Sequence, residues 1–78
     1  MYNIDKTRNM NLKKIILEII KDNPEISRSK FDRVYYSKVS YKNNWVSIVQ
    51  ELRSEKLIEV NQLKITSKGL DYLEDNSN

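Results

Sequence analysis

Residues 37–58 read SKVSYKNNWVSIVQELRSEKLI, and this stretch decides the fold. Ser40 is a helix N-cap type, able to accept a hydrogen bond from a backbone N–H two or three residues on. Behind it Trp45, Ile48, Val49 and Leu52 recur at i, i+3, i+4 and i+7, one apolar stripe of a 3.6-residue period. The spacing predicts a helix over 40–56. At about 100° per residue its opposite face carries Asn43, Ser47, Gln50 and Ser54, flanked by Val46, Lys42 and Arg53. That face is rich in amides and hydroxyls, whereas a merely solvated face usually mixes Lys and Glu. Asn and Gln can pair with the donor and acceptor edges of adenine, so the helix reads as one that meets DNA bases.

The chain continues into LIEVNQLKITSKG. Ile58, Val60, Leu63 and Ile65 are apolar and Glu59 and Lys64 polar, an alternation that predicts two short strands. Asn61-Gln62 sits at the centre of the connection, and Asn tolerates the positive φ of tight hairpin turns. Thr66 then caps a last helix that returns Leu70 and Leu73 to the core, with Tyr72 beside them. Gly69 near its start permits a close approach of backbones.

On Leu52, Leu57, Ile58, Leu63, Ile65, Thr66, Lys68, Gly69 and Leu70, residues 12–74 resemble a winged helix-turn-helix domain of the small bacterial, archaeal or phage regulator type. The resemblance implies an α+β fold: a three-helix core, a short two-stranded β-hairpin wing and a C-terminal helix. It also implies that the second helix crosses the DNA backbone. Members of this family often carry a glycine in the helix-turn-helix turn; the corresponding Tyr36-Ser37-Lys38-Val39 has none. The wing is very short and lacks an arginine at its tip, so affinity is expected to rest on the helices.

Working back toward the start, Ser27 is the expected N-cap of the second helix, anchored by Ile26. Phe31, Val34 and Tyr35 face the core and Arg28, Lys30 and Arg33 lie outside. Asn23-Pro24 closes the helix before it, because a residue preceding proline avoids the α region. In that first helix Leu12, Ile15, Ile16, Ile19 and Ile20 form the stripe, and Leu17 lies off it. Residues 1–10 are polar and aperiodic and read as a flexible arm or a frayed helical lead-in, 11–74 as the domain, and 75–78 as an acidic tail.

A chain of 78 residues is one domain, small but able to close a core without staples. It has neither cysteine nor histidine, which excludes disulfides, zinc-finger ligation and histidine acid–base catalysis. No catalytic constellation, metal site or cofactor motif is visible, so no enzyme is expected. The polar start lacks the apolar run of a signal peptide and no apolar run approaches a membrane span; a cytoplasmic protein is expected. Net charge is +3. Residues 27–56 carry seven basic side chains against three acidic, and residues 57–78 two against four. A basic middle with an acidic end suits a polyanion facing the middle.

The expected function is therefore sequence-specific binding of double-stranded DNA by a small transcriptional regulator. Asn43, Asn44, Ser47 and Gln50 would contact bases in the major groove, with Arg28, Lys30, Lys38, Ser40, Lys42 and Arg53 on phosphates. A homodimer joined through the first and last helices is the expected assembly. The alternative is a protein-interaction module of a phage or other mobile element that docks onto a host replication or defence protein.

Overall fold

The computed structural model describes residues 4–40 and 42–75, with side chains from Leu12 onward. Four helices follow one another: α1 (Ile4–Asp22), α2 (Arg28–Lys38), α3 (Val46–Ser54) and α4 (Ser67–Asp75). α1 is the hub and packs against each of the other three. This explains Leu17, which is fully buried: a helix with neighbours on several sides needs a wider apolar face than one stripe supplies. Trp45, Ile16, Phe31 and Leu52 share one core with Tyr35, Val49, Leu57, Ile58, Leu63 and Leu73.

The expected α+β winged-helix architecture is not what forms. The described residues contain four helices and no strand; residues 58–65 make only an isolated antiparallel bridge between Ile58 and Ile65. The segments do cross-bond there, Glu59 N–H to the Lys64 carbonyl at 2.8 Å and Thr66 N–H to the Leu57 carbonyl at 3.1 Å. The Lys64 N–H, however, turns back to the Gln62 carbonyl at 3.0 Å. A donor spent inside the loop cannot extend a ladder, and a lone two-stranded pairing is marginal at best. Val60, expected to alternate into the sheet, is 75% exposed.

The connection between α2 and α3 also differs from expectation. α2 continues through Tyr36 and Ser37 to Lys38, and the joining segment occupies residues 39–45. Ser40 does not cap α3; its Oγ accepts from the Lys42 N–H at 3.2 Å, closing a local turn. The N-cap position falls on Trp45, which supplies no side-chain acceptor, and Asn44 just before it takes the first helical N–H instead, its Oδ1 accepting from Val46 at 2.7 Å. The Asn43 carbonyl, which in a helix over 40–56 would belong to the helical ladder, accepts instead from the Tyr35 hydroxyl at 2.9 Å. Competing polar side chains thus shorten the helix at its start. Its end is sharp: the Leu57 N–H reaches the Leu52 carbonyl and the Lys56 N–H the Arg53 carbonyl, both at 2.9 Å, with Lys56 at φ 65°.

Two cap expectations hold. Ser27 Oγ accepts from the Lys30 N–H at 3.2 Å at the start of α2. Thr66 Oγ1 accepts from the Gly69 N–H at 3.0 Å and donates to the Lys56 carbonyl at 2.7 Å, tying α4 to the end of α3. Gly69 makes the expected close approach. A Cβ there would collide with the Leu57 carbonyl oxygen and lie 2.6 Å from Ile65 Cγ1. Leu73 is buried, but Leu70 is 44% exposed, so only one of the two leucines of α4 serves the core.

Candidate nucleic-acid interface

α3 presents its exposed side as Val46, Ser47, Gln50 and Ser54, because Val49 and Leu52 point the other way into the core. Ser47 and Gln50 therefore stand where a groove-reading side chain must stand. Asn43 and Asn44 do not share the helix. Asn43 is half-buried in the 39–45 connection, and the side-chain oxygen of Asn44 is engaged in the cap. The expected row of Asn43, Ser47 and Gln50 is thus replaced by Ser47, Gln50 and Ser54 on helical spacing, with Asn44 at its entrance.

The two edges of this strip differ. Toward α1, Glu51 and Glu55 are met by Lys13, whose Nζ lies 3.0 Å from Glu51 Oε2 and 3.4 Å from Glu55 Oε2. Partial burial acts to lower the Lys13 pKa. The hydrogen bond to Glu51 and the two carboxylate charges outweigh it, so the pKa is raised above 10.5. On the other edge Arg53 donates from Nε to the Glu59 carbonyl at 3.0 Å, fixing the side chain against the 59–63 loop.

Beyond Arg53 a groove of about 480 Å³ opens between the start of α2 and the 59–63 loop. Arg28, Arg53, Ser27, Asn61 and Gln62 line it with the apolar Ile26, Val60 and Leu63, and no acidic residue does. Arg28 is placed by Trp45: its guanidinium carbon lies 5.7 Å from the indole centre, a cation–π distance. The indole is fixed in turn, edge-on to Phe31 at 4.9 Å and donating from Nε1 to Asp32 Oδ1 at 2.8 Å. Tyr35, stacked on Phe31 at 6.0 Å, holds the 39–45 connection through its hydroxyl. Burial, with a smaller contribution from Tyr36, pushes that hydroxyl up to about 12, so it stays a donor at neutral pH.

The expected phosphate contacts separate into groups. Arg28 and Arg53 converge on the groove, and Lys30, Ser40 and Lys42 are exposed. Lys38 lies elsewhere: it borders a depression between α1 and α2 together with Glu18 and Asp22, an acidic setting that a phosphate avoids. Two features escaped sequence reasoning. Lys13 joins residues 38 and 42 positions away, which no local pattern signals. Asp32 carries no signal of its own in the sequence, because its role depends on the indole delivered to it by the 39–45 connection. The adjacent acids Glu51 and Glu55, at i and i+4, were the available hint that a cation must approach them.

Among the described residues no helix is long and apolar enough to cross a membrane, and no three His, Cys, Asp or Glu side chains are grouped to hold a metal ion. No family model, no curated protein and no solved structure matches this chain.

Proposed function

We propose that this chain binds double-stranded DNA in a sequence-dependent manner and acts as a small transcriptional regulator in the cytoplasm. The observation that carries the reading is the junction of two surfaces along α3. An uncharged strip of Ser47, Gln50 and Ser54 runs beside an acid-free groove holding Arg28 and Arg53. Phosphate contacts position a protein on a duplex and base-edge contacts specify the site, and here the two kinds of side chain lie side by side. Gln50 is the principal base reader, with Ser47 and the Asn44 amide group beside it; Arg28, Arg53, Lys30 and Lys42 serve the backbone. One module of this size makes few contacts, so two copies on two half-sites is the proposed assembly. Its pairing surface is α1 with α4, where the exposed Leu70 lies beside Glu18 and Lys21.

A second reading is favoured by Val46 and Val60, both exposed on this side. Apolar side chains amid amides and arginines also suit a protein interface, as in a mobile-element protein docking onto a host replication or defence protein. Selection of preferred sites from a random duplex pool separates the two. The DNA reading expects an enriched motif with the wild type. It expects Gln50→Ala to relax one position of that motif, at about 1–3 kcal/mol of discrimination, with folding unchanged. Absence of any enriched motif from folded protein would reject sequence-specific recognition.

A further inference from the structure

We infer that Arg28 and Arg53 act as a pair on one phosphate group, in a seat walled by the 59–63 loop, and that Trp45 reports whether the seat is filled. The inference deepens the DNA reading and rests on it for the source of the phosphate. Two arginines, Asn61, Gln62 and Ser27 line the groove and no acidic residue does, while on its other side Arg28 borders a depression shared with Asp32 and Arg33. A planar guanidinium matches the paired oxygens of a phosphate, which a lysine ammonium cannot do.

Both arginines are already held in place. Arg53 is tethered through Nε to the Glu59 carbonyl, which leaves its two terminal amino groups for a ligand. Arg28 rests over an indole that is itself anchored to Asp32. Side chains ordered before binding lose less rotamer freedom on capture. The same phosphate chemistry is offered by a duplex backbone or by a free phosphate. The backbone is the better occupant because Arg53 lies one helical turn from Gln50, so a phosphate seated here sets the bases beside the reading strip.

Trp45 is the single tryptophan, so its emission has one source. A phosphate bound to Arg28 where it rests brings negative charge up to the cation over the indole face and so changes the field on the indole. The test follows a labelled duplex by anisotropy and Trp45 emission in parallel, and repeats the emission titration with pyrophosphate. In the wild type the emission change should saturate together with duplex binding. Arg28→Lys and Arg53→Lys keep the charge but lose the fork, and each should weaken binding about tenfold. Arg28→Lys should also remove the emission change, and Lys38→Arg, a swap in the acidic depression between α1 and α2, should alter neither signal. Arg28 is exposed, so its variant retains the core packing and decides the matter should Arg53→Lys not fold.

Wild-type binding and emission in the lysine variants would overturn the paired seat while leaving DNA binding intact. Duplex binding with no emission change would do the same. If no duplex binds, the DNA reading fails and pyrophosphate judges the seat: a saturable change abolished by Arg28→Lys supports it, and no change rejects it.

Discussion

The two edges of α3 carry charge to opposite ends. On the α1 edge, Glu51 and Glu55 face Lys13, and the ion pair is completed within the molecule. On the loop edge, Arg53 is anchored through a neutral carbonyl, and its neighbours across the groove are Arg28, Asn61 and Gln62. One edge has its counter-charge built in; the other offers cations with none in their groove. A completed pair ties helices together and also hides acidity from a polyanion. An uncompleted one is a place for an anion. Charge composition alone makes no such distinction, since Lys13 and Arg53 count equally toward +3.

The largest effect on the loop edge is expected from Trp45, which lies under Arg28 and bonds Asp32. Trp45→Ala empties a buried aromatic, removes the surface under Arg28 and leaves Asp32 without its indole partner. A cost of roughly 3–5 kcal/mol is expected, the usual range for a large aromatic removed from a core. At roughly 0.05–0.15 kcal/mol per residue, a domain of 78 residues has about 4–12 kcal/mol in hand, so urea unfolding should shift to markedly lower midpoints. A midpoint unchanged from wild type would mean that the indole is not the keystone of the edge.

A smaller effect is expected on the α1 edge. Lys13→Met keeps the apolar stem and deletes the charge, so stability should fall by about 1 kcal/mol or less. Melting should drop by roughly 4–8 °C per kcal/mol lost. The wild type should lose the same contribution with alkali. A raised folded pKa means the stabilisation is full below 10.5 and disappears as pH rises through the folded value. Duplex affinity of Lys13→Met should weaken severalfold at low salt, because Glu51 and Glu55 then face the backbone unneutralised. A variant that melts lower but binds equally well would confine Lys13 to a structural role.

Much of the helical framework was legible because it is written locally. The α1 stripe, the Ser27 and Thr66 caps and the Trp45–Val49–Leu52 face are short-range patterns. What was not legible depended on competition or on distance. Ser40 and Asn44 are both residue types that cap helices, and the bonds that keep Asn43 outside the helix include one from the Tyr35 hydroxyl, which arrives from α2. The hairpin failed for the same kind of reason, since alternation promised strands and the Lys64 N–H found a nearer acceptor. Of the candidate site, Ser47, Gln50, Arg28 and Arg53 were visible as an outward face and a basic segment. That Arg28 and Arg53 share a groove, and that Lys38 does not, required the packing of α2 beside the 59–63 loop.

The most direct measurement is duplex affinity as a function of salt, for the wild type and Arg28→Ala at equal degrees of folding. A cationic edge that meets DNA phosphates releases counterions, so log affinity should fall linearly with log salt. Arg28→Ala should weaken binding about equally on all sequences and reduce that slope by roughly one. Affinity that hardly changes with salt, or a slope unaltered in Arg28→Ala, would contradict the claim that the loop edge of α3 is a phosphate-binding surface.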